Sequence, residues 1–398
     1  MSPSLRGLLG RGAPEPHRAA APVGLLDVLR SGAVRGAAGA REALAAERLR
    51  VGVVVPQFRP GSGGHGTIAN LVRGLHGRGH ACELFVLDEE GRHAGQSEAQ
   101  VAADFNAFFG TVDAPVRLGL ERWNGADVAL ATGWQTVPAV LRLGGARSRA
   151  YLVQDHEPEF YPTSAERDWA AWTYRQGLHH IPASPWLASV IRSRYGGAAS
   201  AFDLGVDHVR YHPPPEPGSR RADLVVFYAR ASTPRRAVPL GLLALDELLR
   251  RRPAVDVALF GQAGPVVAPA GARDVGVLDG AELAELYGRA AVGLVLSMTN
   301  PSLVPLEMLA CELPVVDLAS ASMLAEFGED GPAALAPGDP LALCDAIEQL
   351  LDDPARRAVL AARGSAFVAR RTWDAAAEQV EHGLREALRE AAGAGDAA

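Results

Sequence analysis

The feature that most restricts this chain is an alternation of short apolar runs with segments of helical spacing, begun near residue 51 and begun again after residue 223. VGVVV (51–55) and ELFVL (83–87) are runs with little polar interruption, and TIANLVRGLHGRG (67–79) between them places its apolar residues on one helical face. Strands apolar along their length are buried on both faces, the situation of a parallel sheet whose crossovers are helices. Further strands are expected at DVALA (127–131), AYLVQ (150–154), HHIPA (179–183) and SAFDL (200–204), with helices near 97–109, 134–142, 165–177 and 185–195.

HPPPEPGSRRAD (212–223) interrupts the alternation with four prolines and a glycine, a composition that spaces domains and packs poorly. The pattern then resumes with strands at LVVFYA (224–229), VDVALFG (255–261), DVGVL (274–278), AVGLVLS (291–297) and PVVDL (314–318), and helices at 237–251, 281–290 and 303–312. The expected fold class is α/β: two doubly wound, Rossmann-like domains (51–211 and 224–371) facing across a cleft and joined by the linker 212–223. An Arg- and Ala-rich extension (1–50) precedes them, and a helix and tail (372–398) follow. The helix, TWDAAAEQVEHGLREALREAAG (372–393), has apolar positions at Ala376, Val380, Leu384 and Leu388, suited either to the first domain or to capping the second.

A net charge of −7 and a pI near 5.9 argue against a nucleic-acid partner, which calls for a basic face. Cys82, Cys311 and Cys344 are odd in number and far apart, which suggests neither a disulfide framework nor a zinc site, and they read as core residues of a reducing cytoplasm. No run of about 18 apolar residues is present to span a bilayer, so a cytoplasmic protein is expected. Within residues 1–50, however, eight Arg outnumber four acids, and contact with an anionic surface at the inner face of the membrane stands beside a solvated arm as a reading.

Three segments carry candidate chemistry. PGSGGHGT (60–67) contains Gly61-x-Gly63-x-x-Gly66, the spacing of a dinucleotide-binding turn. That turn needs its first glycine close behind the strand, and PQFRP (56–60) intervenes here, so a phosphate held by bare N–H groups at Gly63 and Gly64, at the start of a helix expected near Thr67, competes with the NAD reading. FYARASTPRR (227–236) sets Arg230 and Arg235 at the carboxyl end of a buried strand, where open parallel sheets bind ligands, and two guanidinium groups suit a diphosphate. LSMTNPSLVPLEMLACELPVVD (296–317) runs from a strand through Asn300, Pro301 and Ser302 into a helix whose free N–H groups again suit an anion, with Glu307 placed for a ribose diol.

In this order, the glycine loop, Arg-x4-Arg and Asn-Pro-Ser-Leu-Val-x-Leu-Glu resemble the GT-B glycosyltransferases of retaining family 4. More closely, YLVQDHEPEFYP (151–162), FYARASTPRRA (227–237) and MTNPSLVPLEMLACELPVVD (298–317) resemble bacterial rhamnosyltransferases of the WsaF type, over most of residues 51–390. The resemblance implies a nucleotide-sugar donor, dTDP-linked rhamnose, on the second domain, a glycan or lipid-linked glycan acceptor on the first, retention of configuration, and neither cofactor nor metal. It assigns catalysis to Arg230, Arg235 and Glu307, and donor binding to Gly63, Gly64, Thr299, Asn300, Pro301, Ser302 and Leu303, with Val275, Gly276 and Val277 near the base. Asp155-His156-Glu157, the nearest approach to a metal-binding Asp-x-Asp motif, follows a first-domain strand away from the diphosphate grip and reads, with His65, as an acceptor or sugar site. Two departures stand out: Arg235 replaces a usual Lys, and Thr299 stands where relatives carry the first of two glutamates. The loss of that glutamate suits a deoxysugar, and it keeps a silent sugar-binding paralogue in play beside a nucleotide-sugar epimerase of the same fold.

Overall fold

A computed structural model describes residues 21–214, 220–264 and 267–396. The first sheet contains β1 (Arg50–Pro56), β2 (Ala81–Leu87), β3 (Val116–Leu118), β4 (Ala126–Ala131), β5 (Ala146–Val153) and β6 (His179–Pro182), parallel throughout in the order β3-β2-β1-β4-β5-β6. The second contains β7 (Leu224–Tyr228), β8 (Asp256–Phe260), β9 (Ala272–Asp274), β10 (Val292–Leu294), β11 (Val315–Leu318) and β12 (Ala333–Ala336), in the order β12-β11-β10-β7-β8-β9. Each sheet reverses direction once, between β1 and β4 and between β7 and β10, which opens a crevice at the carboxyl ends of those strands. The expectation of two doubly wound domains holds, and the apolar runs explain it: Val53, Val54 and Val55 are each 1% exposed or less, covered on both faces.

Several boundaries move. SAFDL (200–204) is no strand: Ser200 and Phe202 donate backbone bonds to the carbonyls of His180 and Pro182, but Pro182 has no N–H to donate in return, so the ladder stops. The strand expected at 274–278 is instead Ala272–Asp274, ended where Asp274 accepts the Gly276 N–H at 2.9 Å and Gly276 turns to φ 72°. The helix expected from Thr67 begins at Gly63, so the glycines form its first turn. Residues 25–31 and 40–45 of the N-terminal segment are helical and packed on the first domain, whereas Arg6, Arg11 and Arg18 lie outside the described residues. Helices Ala321–Phe327, Pro340–Asp352 and Pro354–Val368 complete the second domain, the last two opened by Asp339-Pro340 and Asp353-Pro354 with each Asp capping its helix.

The C-terminal helix, Trp373–Asp396, docks on the first domain. Gly74 permits this, since a Cβ there would lie 2.4 Å from the Cβ of Ala377. The Ser148 hydroxyl donates to the Ala387 carbonyl at 2.6 Å, and Glu381 pairs with Arg78 at 2.8 Å. Where the chain returns, the Val206 N–H donates to the Arg371 carbonyl at 2.8 Å, so the two passages between domains are tied together. No helix among the described residues is long and apolar enough to cross a membrane, and the three cysteines are buried and free.

Candidate functional site

A cleft of about 1280 Å³ separates the carboxyl ends of the two sheets. On its first-domain wall the helix Gly63–Gly77 points its N-terminus inward. Ser62 precedes it without capping it, because the Ser62 hydroxyl lies 2.8 Å from Nδ1 of His65, whose Nε2 lies 3.0 Å from the Pro56 carbonyl. His65 also stacks on Phe109, with centroids 5.6 Å apart, and burial lowers its pKa. The first helical bond runs from the Gly66 N–H to the Ser62 carbonyl, so no side-chain cap covers the N–H groups of Gly63 and Gly64.

On the opposite wall the loop after β7 brings up three arginines. Arg230 reaches across the cleft, its Nη1 donating to the Gly61 carbonyl at 3.1 Å. Arg235 lies over the Phe160 ring, 4.0 Å from its centroid, with Nε 2.7 Å from Oδ2 of Asp155. Arg236 is buried and donates to the Ser297 hydroxyl at 3.3 Å. Asp317 lies behind it, fully buried, its Oδ1 accepting the Ser297 and Leu318 N–H groups at 2.7 Å while burial pushes its carboxyl up to about 7.

The segment 298–302 joins the walls. Asn300 is fully buried: its Nδ2 donates to the carbonyls of Gln154 at 3.1 Å and Ala183 at 2.9 Å, its Oδ1 accepts the Ser184 hydroxyl at 2.6 Å, and its N–H donates to Oδ1 of Asp155 at 3.0 Å. The amide expected to touch a donor is thus spent on holding the domains together. Pro301, Ser302 and Leu303 line the cleft, and Ser302 starts the helix Leu303–Ala310 without capping it. The hydroxyls of Thr299 and Ser302 are both buried with no partner among the described residues. Glu307 lies one turn further in, half-buried; burial pushes its carboxyl up to about 7, with Arg210 and Tyr211 acting in the opposite sense. Of the three positions expected near a base, Val277 lines the cleft, whereas Val275 packs on the core and Gly276 accepts the Gly261 N–H at 2.8 Å.

The acceptor-side candidates divide. Asp155 and Glu157 line the cleft. Oε2 of Glu157 accepts the Trp134 N–H at 2.6 Å and the Tyr151 hydroxyl at 2.5 Å, and burial raises its carboxyl to about 7. His156 does not face the cleft: it is buried between Tyr174 and Tyr195, with Nε2 2.7 Å from the Tyr195 hydroxyl, because the chain turns into a short helical segment at Glu157 and throws the intervening side chain inward. Sequence reasoning missed Gln154, Phe160, Arg210, Tyr211 and Arg236. Phe160 and Gln154 flank the motif already singled out, but the loop 205–211 has no periodicity or motif that would have flagged it.

Two facing Rossmann-like domains, a polar cleft between them and a final helix returned to the first domain make up the GT-B fold. Solved structures share it: TarM of S. aureus, in complex with Fondaparinux, α-GlcNAc-glycerol and UDP, superimposes with a TM-score of 0.67 at 8% identity over 84% of this chain and 99% of its own. HepE of Anabaena in complex with UDP and glucose gives 0.65 at 13% identity, over 85% and 100%. A sucrose-phosphate synthase from Thermosynechococcus elongatus gives 0.62 at 16%, over 85% and 98%.

At the level of sequence, residues 223–329 match the family described as WsaF, C-terminal domain. The chain is also 32% identical over 329 residues to the O-antigen biosynthesis protein RfbC of Myxococcus xanthus, a match covering 79% of this chain and 25% of that protein. The matched region therefore spans about a quarter of the relative's length.

Proposed function

We propose that this chain is a glycosyltransferase of the WsaF-like branch of retaining family 4, acting in O-antigen or related polysaccharide assembly. It moves a deoxyhexose, L-rhamnose, from a dTDP donor to a glycan or lipid-linked glycan acceptor, with retention and without a metal. The observation that carries the reading is the meeting of Arg230 with the glycine turn, the guanidinium 3.1 Å from the Gly61 carbonyl beside uncapped helix N–H groups. A Cβ on Gly63 would meet no protein atom within 4 Å, so the protein's own packing does not require a glycine there, and the open space suits a ligand.

Breaking the anomeric carbon–oxygen bond leaves positive charge on the sugar ring and negative charge on the departing diphosphate. Arg230, Arg235, the Gly63–Gly64 N–H groups and the helix start at Ser302 all line this cleft and are in place before that charge develops. Glu307 takes the ribose hydroxyls, Val277 flanks the base, and the acceptor enters along His65 and Glu157. Thr299, which stands where relatives carry a glutamate, is buried and does not line the cleft, so it brings no charge to a sugar hydroxyl. The NAD reading is disfavoured because Gln57–Ser62 separate β1 from the helix, too long a turn to seat a pyrophosphate tightly behind the strand.

The membrane contact proposed for residues 1–50 rests on their arginines, of which Arg30, Arg35, Arg41, Arg48 and Arg50 lie in the described part. The test of function is thermal-shift titration with dTDP, UDP, GDP and NAD, followed by turnover of dTDP-rhamnose over an acceptor panel. Stabilisation by NAD and by no nucleoside diphosphate would overturn the reading.

A further inference from the structure

The two arginines of the proposed diphosphate grip are held in different ways. Arg230 rests against a neutral acceptor, the Gly61 carbonyl. Arg235 rests against a charge: its Nε lies 2.7 Å from Oδ2 of Asp155, a side chain only 7% exposed, while Phe160 supports the guanidinium plane from one face at 4.0 Å. Asp155 itself is fixed by its other oxygen, which accepts the backbone N–H groups of His156 at 2.8 Å and Asn300 at 3.0 Å. Its two oxygens therefore have separate duties, one closing the domain contact and one neutralising a cation in the cleft.

We propose that Asp155 is the resident counter-ion of the diphosphate grip, occupying on Arg235 the place that a donor's phosphate takes, so that donor binding exchanges one anion for the other. This rests on the reading of the cleft as a sugar-nucleotide site. The Arg235 side chain is 25% exposed, and Asp155 supplies the opposite charge that holds it in position over Phe160 while the site is empty. The same carboxylate competes with every incoming anion. A nucleoside diphosphate also engages Arg230 and the uncapped glycine turn, and so outcompetes Asp155, whereas a lone anion that reaches only Arg235 does not. The exchange needs only the Oδ2 contact to yield, and the Oδ1 bond to Asn300 keeps the walls together. Asp155 is thus a positioning residue of the donor site rather than an acceptor ligand.

The test is the Asp155→Asn variant, whose side-chain oxygen can still accept the Asn300 N–H but which carries no charge. Dissociation constants for dTDP, UDP, thymidine and inorganic pyrophosphate are measured by calorimetry on the full chain, alongside Arg235→Ala and the double variant. The expected result is binding of the diphosphates about tenfold tighter in Asp155→Asn, thymidine unchanged, and no effect of Asp155→Asn in the Arg235→Ala background. Diphosphate affinity equal to or weaker than wild type, or the same gain without Arg235, would overturn the proposal, provided small-angle scattering shows the variant as closed as wild type. If scattering shows it open, Ser184→Ala, which loosens the same domain contact without touching the charge, supplies the comparison: a diphosphate affinity in Asp155→Asn no higher than in Ser184→Ala overturns the proposal. If pyrophosphate tightens while no nucleoside diphosphate binds either protein, the counter-ion role stands and the sugar-nucleotide reading falls; if nothing binds either protein, both fall.

Discussion

Replacing Asn300 by Ala removes the side chain that links the two domains most directly, and the size of the effect follows from its contacts. Three hydrogen bonds disappear, two buried ones with the Ala183 carbonyl and the Ser184 hydroxyl and a half-buried one to the Gln154 carbonyl, all reaching from the second domain to the first. At about 1 kcal/mol each they amount to about 3 kcal/mol, and the groups left behind in a fully buried site make this a lower figure. The loss falls on domain docking, because each sheet keeps a core of its own on one face, built on Leu245, Leu248 and Val257 in the second domain and on Val54, Trp134 and Tyr151 in the first. The sequence supplies a clean assay: all six tryptophans, at positions 123, 134, 169, 172, 186 and 373, lie in the first domain or the helix docked on it. Tryptophan fluorescence therefore follows the first domain alone, while far-ultraviolet circular dichroism follows both. In urea, the two signals should separate in the variant more than in the wild type, with the dichroism transition moved to lower denaturant. Superimposable signals at the wild-type midpoint would refute the role given to Asn300.

Further perturbations test other parts of the structure. Arg230→Ala should lower kcat/KM for dTDP-rhamnose by about 10²-fold or more, the usual cost of losing a group aimed at developing charge; unchanged transfer would remove Arg230 from the grip. Gly74→Leu should cost about 2 kcal/mol or more by forcing the C-terminal helix off, read as a fall in Tm, whereas Gly77→Ala on the same helix meets open space and should leave Tm unchanged or raised. For pH, the Glu157 carboxyl is raised to about 7 in the folded chain against an unfolded value near 4.3. The unfolded chain releases this proton first, so stability falls as pH rises from about 4 and levels off above about 7, a loss on the order of 3 kcal/mol. Glu157→Gln should flatten that part of the stability–pH profile in urea titrations and gain relative to wild type at pH 8; a parallel profile would contradict the burial argument.

What the sequence revealed was set by how much local pattern each feature carries. Strands that are apolar along nearly their whole length, such as β1 and β4, announce themselves, as do the linker's prolines and the restart after it. β3 and β12, of three and four residues, are too short for any period to register. SAFDL (200–204) has a strand's composition and lies against β6, yet a proline on the neighbouring strand denies it a ladder. The cleft motifs were legible as types of residue, because arginines and glycines at strand ends have few structural uses. Their partners were not: nothing local says that Asp155 faces Arg235, or that Asn300 is consumed by the other domain, since both depend on a contact across more than 70 residues of chain.

The return of the last helix to the first domain has a mechanical consequence. Two covalent passages, pinned to each other where Val206 meets Thr372, link the halves of the molecule, so their relative motion is that of a door on two hinges rather than a weight on a string. Opening about the line through both passages strains neither of them, so resistance to it lies in the cleft contacts of Asn300, Arg230 and Arg235, while twisting or sliding about any other axis strains one passage. For the proposed transferase, a cleft that closes by bringing Arg230 back to the glycine turn would benefit from one such coordinate, and cutting the chain after Arg371 would leave both sheets intact but turn that hinge into a tether.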